Sequence, residues 1–223
     1  MKLSIIIPAY NEIDTLPEVL DRVRAQPFEK EIIVADDCST DGTREFLRTQ
    51  PDVKLVENPR NLGKGASIRA ALAEVTGDIV LIQDADLEYD PNDYAALIAP
   101  IVEGRADMVY GTRFARGRPR MRLANYIANR IFAFLATVLY RRKVTDEATC
   151  YKAFRTEVIK SLDLRCMRFE FCPEVTARLL KRGYRYAEVP VNYESRTFAQ
   201  GKKIRWYDGL ECIWTLIKYR FVG

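Results

Sequence analysis

Residues 79–86 read Ile79-Val80-Leu81-Ile82-Gln83-Asp84-Ala85-Asp86. Four apolar residues without alternation run into two carboxylates spaced two apart. A continuous apolar run marks a strand buried on both faces, the condition of a parallel sheet covered by helices, whereas a half-exposed strand alternates. Runs of the same kind occupy Leu3 to Ile7, Glu31 to Ala35, Asp78 to Ile82 and Ala106 to Tyr110, and Val53 to Val56 is a candidate fifth strand. Helix-like stretches separate them, roughly Ile13 to Ala25, Thr43 to Thr49, Gly65 to Val75 and Asn92 to Val102. Strand alternating with helix predicts an α/β fold with an open, doubly wound, mostly parallel sheet.

In such sheets ligands bind in the crevice beyond the carboxyl ends of the strands. The polar residues follow that rule. The first strand runs into Pro8-Ala9-Tyr10-Asn11-Glu12, the second into Asp36-Asp37, the next long run into Asp84-Ala85-Asp86 and the last into Gly111-Thr112-Arg113. Asp84 and Asp86, with Glu88 as a third oxygen donor, suit a hard divalent cation, magnesium or manganese, shared with substrate phosphates. An acidic turn accounts for the same three residues without a metal. Asp36 and Asp37 repel one another unless a partner takes up their charge; a nucleobase edge or ribose hydroxyl is one such partner, and helix capping accounts for Asp41 to Thr43. Asn61-Leu62-Gly63-Lys64-Gly65 opens a helix with amides and a lysine suited to an anion, but lacks the phosphate-loop spacing of ATPases. Arg113, Arg196, Lys202 and Lys203 are cations for phosphate, or else a solvated basic face.

The bulk properties narrow the chemistry. The chain has 223 residues, 35 Lys plus Arg against 31 Asp plus Glu, and no histidine. One domain is expected at this length. The net charge of +4 suits an anionic partner without pointing to nucleic acid. Absence of histidine removes His-ligated zinc and the Ser-His-Asp triad together. Five cysteines with no CxxC pair, after a short N-terminal strand in place of a signal sequence, predict reduced thiols and a cytoplasmic setting. After Arg116 the character changes: Arg116, Arg118, Arg120 and Arg122 precede a mostly apolar segment, Leu123 to Tyr140, followed by Arg141-Arg142-Lys143, and a second apolar stretch spans Trp206 to Phe221. Asn125, Asn129 and Arg130 interrupt the first segment, so it predicts an interfacial amphipathic helix or a core helix, not a bilayer span.

Together these segments resemble family 2 glycosyltransferases, in the dolichyl-phosphate mannosyltransferase-like branch. The elements are Ile7 to Glu12, Val34 to Thr43, Asn61 to Gly65, Asp84 to Glu88, Gly111-Thr112-Arg113, Asp146 to Phe154 and Gly201-Lys202-Lys203-Ile204. The resemblance implies a GT-A fold over residues 1–223, with a nucleotide-binding half, 1–115, and an acceptor- and membrane-facing half, 116–223. It implies that Pro8, Tyr10, Glu12, Asp36 and Asp37 surround the nucleotide and that Asp84, Asp86 and residue 88 hold Mg2+ or Mn2+. The family often has Gln where this chain has Glu88. By the same resemblance Arg113 meets the acceptor phosphate, while Arg196 and Lys203 reach the pyrophosphate. The implied reaction is inverting transfer of a hexose, mannose or glucose, from a GDP- or UDP-sugar to a polyprenyl phosphate, by an enzyme peripheral to the cytoplasmic face of a membrane.

A phosphate acceptor is already an anionic nucleophile and needs no strong base, so the missing histidine is no obstacle. A sugar hydroxyl acceptor would need a carboxylate base, Asp146 or Glu174. A nucleotidyltransferase would carry a glycine-rich loop where Pro8 to Glu12 stands, and a dehydrogenase would carry GxGxxG after the first strand. A non-catalytic sugar-nucleotide sensor on the same fold is the remaining alternative.

Overall fold

The computed structural model describes residues 1–196 and 206–222. Seven strands form one sheet: β1 (Leu3–Ala9), β2 (Lys30–Asp36), β3 (Val53–Glu57), β4 (Ile79–Ile82), β5 (Met108–Thr112), β6 (Lys152–Arg155) and β7 (Tyr186–Pro190), in the order β3-β2-β1-β4-β6-β5-β7. All neighbouring pairs are parallel except those of β6, which runs against both β4 and β5. The described helices are α1 (Leu16–Arg24), α2 (Thr43–Arg48), α3 (Lys64–Ala73), α4 (Tyr94–Val102), α5 (Leu123–Tyr140), α6 (Thr156–Lys160), α7 (Phe171–Lys181) and α8 (Trp206–Phe221).

The continuous apolar runs are explained by two cores. Ile5 and Ile7 of β1 point toward Leu16, Val19 and Leu20 of α1 and toward Leu97 and Ile101 of α4. Ile6, between them, points the other way, into a layer with Ile68 and Leu72 of α3, Val175 and Leu179 of α7 and Leu216 of α8. Successive strand residues alternate faces, and here both faces are roofed, so β1 has no polar side to show. Each buried Leu, Ile or Val contributes about 1.5–3 kcal/mol relative to exposure.

β6, β7 and α7 were not among the expected elements, and their sequences show why. β6 begins with Lys152, fully buried, whose ammonium donates to the carbonyls of Glu147 (2.7 Å) and Thr149 (2.8 Å) and lies 3.7 Å from the centre of the Tyr110 ring. β7 carries Glu188 and ends on Pro190, and α7 opens Phe-Cys-Pro. Each contains residues that propensity assigns elsewhere and that tertiary partners satisfy. Antiparallel β6 enters the sheet from the rim where the parallel strands end, so it brings Asp146, Thr149 and Cys150 to the same side as the residues following β1, β4, β5 and β7.

The segment Leu123 to Tyr140 is one helix, α5, packed on α7 and α8 through Phe132, Ala133, Ala136 and Tyr140, with the Tyr140 hydroxyl donating to Leu216 O at 2.6 Å. By length and composition α5 is long and apolar enough to cross a bilayer. Its packed face belongs to the core, however, and crossing would strip it. The opposite face exposes Leu123, Ile127, Ile131, Phe134 and Val138, and α8 beside it exposes Leu210, Trp214 and Phe221.

Candidate active site

The rim is built from three turns. At the end of β1 the backbone bends through Asn11, held at φ 51°, whose side chain accepts from Thr40 N (2.8 Å) and whose amide donates to Ser39 Oγ (2.9 Å). That bend turns Glu12 inward, where its carboxylate accepts from the Thr15 hydroxyl at 3.0 Å. Thr15 also donates to Ala85 O at 2.9 Å and so fastens the β1 turn to the turn after β4. Pro8 and Tyr10 lie half-buried on the same turn.

Asp36 and Asp37 are engaged from within the protein. Asp36, fully buried, accepts from Arg44 Nε at 2.7 Å, and Arg44 reaches on to Asn58 O. Asp37 accepts from the amides of Leu62 (2.8 Å) and Gly63 (2.7 Å) and from Asn58 Nδ2 (2.8 Å). The α3 N-terminus is likewise occupied, with Gly65 N and Ala66 N donating to Arg168 O and Met167 O, each at 2.9 Å. Gly63 sits at φ 97°, and a β-carbon there would come within 2.5 Å of Met167 O, so the tight approach of the two loops requires glycine. The amides that looked available to an anion instead bind this loop to Asp37 and to residues 167–168.

Lys64 points across the crevice to Asp84 in a close ion pair and to Cys150 Sγ at 3.0 Å. Burial works against both charges, but each stabilises the other: the Lys64 ammonium holds Asp84 below the usual carboxylate range, and Lys64 stays protonated. Asp86 differs. Burial first, then the Asp84 charge, push its carboxyl up to about 7, against the pull of Arg196. The Arg196 guanidinium donates to Asp86 Oδ2 at 2.5 Å and to Glu12 Oε2 at 2.9 Å. Glu88 is turned toward the segment after β7, accepting from Arg196 N (2.7 Å) and from the Tyr193 hydroxyl (3.1 Å).

Among the described residues no three acidic or thiol side chains already converge as a metal cage, because Asp84, Asp86 and Glu88 each face a separate donor. The donor set nonetheless fits a hard dication. The oxygens are carboxylate, the type that magnesium and manganese prefer, and among the described residues three carboxylates, Glu12, Asp84 and Asp86, form ion pairs with two cations, Lys64 and Arg196, with Glu88 close by on the Arg196 amide.

Arg113 leaves β5 directly into a fork on Asp146, Nε to Oδ2 and Nη2 to Oδ1, both 2.7 Å, with its own amide on Oδ2 at 2.9 Å. Its guanidinium lies 5.0 Å from the Tyr193 ring and 5.6 Å from that of Phe114. Only 7% of the Arg113 side chain is exposed and none of Asp146. An anion therefore reaches it only along one edge, through a cavity of about 200 Å³ also walled by Arg116, Arg118 and Tyr193. A neighbouring cavity of about 370 Å³ is lined by Arg22, Glu88, Arg120 and again Tyr193. Lys203, expected over the pyrophosphate, and Lys202 lie outside the described residues. Sequence reading had no signal for Tyr193, which lines both cavities, or for Thr15, and it gave Cys150 no role of its own within Asp146 to Phe154, since each is a common residue whose role is set by the fold.

A sequence profile described as Glycosyl transferase family 2 matches residues 4–163. Undecaprenyl-phosphate mannosyltransferase of Micrococcus luteus is 29% identical over 217 residues, covering 91% of this chain and 87% of that protein. Dolichol-phosphate mannosyltransferase of Pyrococcus furiosus is 28% identical over 215 residues, 91% of this chain but 59% of the longer relative. Among solved structures, glucosyl-3-phosphoglycerate synthase from Mycobacterium tuberculosis in complex with Mn2+, uridine diphosphate and phosphoglyceric acid superposes with a TM-score of 0.75 at 20% identity, covering all of this chain and 79% of the other. That likeness is one of fold, and the fold is GT-A.

Proposed function

The chain belongs to glycosyl transferase family 2, and we propose that it transfers a hexose, mannose by analogy with both relatives, from a nucleoside diphosphate sugar to a polyprenyl phosphate at a membrane surface. The observation that carries this is the meeting of Glu12, Asp84, Asp86, Lys64 and Arg196 at the carboxyl ends of β1 and β4, beside an arginine-walled cavity, in a chain whose α5 exposes an apolar face. In this reading residues 1–115 bind the nucleotide and 116–223 meet the acceptor. Pro8 and Tyr10 line the base and ribose, while Asp36 and Asp37 shape the pocket wall through Arg44 and the 62–63 amides. Asp84 and Asp86 would hold Mg2+ or Mn2+, which would supply positive charge opposite the departing diphosphate. Lys64 adds fixed positive charge beside it, and Arg196 and Lys203 are assigned to the same anion.

The acceptor phosphate oxygen forms the new bond to the anomeric carbon as the bond to the diphosphate breaks, with inversion and without proton transfer. Arg113, held in its fork by Asp146, offers an edge to that phosphate, with Arg116 and Arg118 widening the cationic wall. A sugar hydroxyl would need a base, and both sequence candidates are committed elsewhere: Asp146 to Arg113, and Glu174 to the amides of Arg165 and Cys166 and to Arg178 Nε at 2.8 Å. The test is release of nucleoside diphosphate from a panel of GDP- and UDP-sugars with Mn2+ or Mg2+, with and without a short polyprenyl phosphate. Release dependent on both metal and lipid phosphate is expected; none with any pair would sink the reading.

The apolar face is the membrane contact in this proposal. Phe134 is 65% exposed and Trp214 63%, and exposed arginines at 116, 118, 120, 122, 141 and 142 flank α5 at both ends. Apolar burial plus attraction to anionic headgroups holds such a surface in the interface. The five cysteines are all unpaired, which suits a protein on the cytoplasmic face. Co-flotation with anionic liposomes is expected, weakened by high salt and lost in Phe134→Glu with Trp214→Glu. Equal flotation of that double variant would assign the face to something other than lipid.

A further inference from the structure

Arg196 is an odd residue to find seated on Asp86. It lies 110 positions away along the chain, and its guanidinium stands between the carboxylates of Asp86 and Glu12. Nη2 donates to Asp86 Oδ2 at 2.5 Å and to Glu12 Oε1 at 3.4 Å, and Nη1 to Glu12 Oε2 at 2.9 Å. The three side chains are largely buried, 17% exposed for Arg196, 10% for Glu12 and 9% for Asp86. A planar fork spans the two carboxylates in a fixed geometry, where a lysine would offer a flexible point charge. The backbone beneath it is held as firmly. Glu88 accepts the Arg196 amide on one oxygen and the Tyr193 hydroxyl on the other, Glu194 N donates to Glu88 O at 2.9 Å, and Tyr89 pairs with Tyr193 as an isolated bridge.

We propose that Arg196 is an internal counter-cation that shares Asp86 with the divalent metal, so that metal entry displaces its guanidinium. The inference rests on the reading of Asp84 and Asp86 as metal ligands. Asp86 Oδ1 already accepts from the Glu88 amide at 3.0 Å, so a cation drawn to the Oδ2 side would stand against the guanidinium that now occupies it. Removing the guanidinium would take from Glu12 and Asp86 the cation that both carboxylates now share, which is unfavourable for buried charge. Arg196 therefore lets the metal-free protein fold with its carboxylates packed together, and metal affinity is weakened by the free energy of that contact. A nucleoside diphosphate gives the displaced guanidinium another anion to meet. Metal and nucleotide must then strengthen each other's binding, by reciprocal linkage.

The test is titration of the nucleotide-free protein with Mn2+, following free Mn2+ by electron paramagnetic resonance, for wild type, Arg196→Gln, Arg196→Lys and Arg120→Gln. Arg120 walls the cavity next to Glu88 and reports the effect of removing any nearby positive charge. Arg196→Gln should bind Mn2+ about tenfold more tightly than wild type, Arg196→Lys should show a smaller gain, and Arg120→Gln should stay within about threefold. The lysine variant decides the matter should the glutamine variant not fold. Unchanged or weaker Mn2+ binding in both Arg196 variants would overturn the exchange while leaving the metal reading intact, as would an equal gain in Arg120→Gln. Absence of Mn2+ binding in every protein at millimolar metal would overturn the metal reading and the exchange together.

Discussion

Asp86→Ala is expected to lower transfer at least ~1,000-fold while leaving a folded protein. Loss of a group that neutralises developing charge typically costs ~10²–10³ in turnover, and here the carboxylate proposed to fix the cation goes as well. Folding should survive because Asp86 contributes little to the core. Burial and the adjacent Asp84 charge raise its carboxyl to about 7, so the fold favours its protonated form. Ionising it in the metal-free protein therefore weakens stability as pH rises from the ordinary carboxylate range through 7. The variant should melt no lower than wild type at pH 8 in the absence of metal. Asp84→Ala is a poorer experiment, since it would strand the buried Lys64 ammonium that Asp84 compensates, and a folding defect would mimic a catalytic one. Nucleoside diphosphate release within tenfold of wild type by Asp86→Ala would remove the central role given to this residue.

The same contrast between charge and core shows how far the site was legible in the sequence. Strands β1, β2, β4 and β5 were visible because both of their faces are buried, which leaves an unbroken apolar run, and the strand-end rule then placed Glu12, Asp84, Asp86 and Arg113 on one rim. What could not be read was which charge faces which. Arg113 finds Asp146 across 33 positions and Arg196 finds Glu12 across 184. Those pairings follow from β6 entering antiparallel and from the course of the chain after β7, and neither strand announces itself: Lys152 and Glu188 are charged residues that propensity excludes from a buried sheet. Glu88 lies at the spacing from Asp86 that suits a third metal oxygen, and its contacts with the Arg196 amide and the Tyr193 hydroxyl could not be read because they come from the chain after β7.

Asp146→Asn should be the most destabilising polar substitution in the rim. Asp146 is completely buried and accepts three hydrogen bonds from Arg113, two of them from the guanidinium. The amide removes the charge and can accept only on one oxygen, so Arg113, enclosed between Phe114 and Tyr193, is left as an uncompensated buried cation. Breaking a buried pair in this way costs ~3–5 kcal/mol, which for a chain of this size corresponds to a fall in Tm of ~6–20 °C. The pair itself adds little beyond what apolar packing could supply, because desolvation of both charges offsets most of their attraction. Arg113→Met combined with Asp146→Asn should therefore recover much of the lost Tm. Transfer should stay abolished in that double variant, since the cationic edge facing the acceptor cavity is gone. Recovery of Tm without recovery of transfer separates the structural work of the pair from its work on phosphate. Recovery of both would mean that the acceptor is held elsewhere on the cavity wall, with Arg116 and Arg118 the nearest cations to carry it.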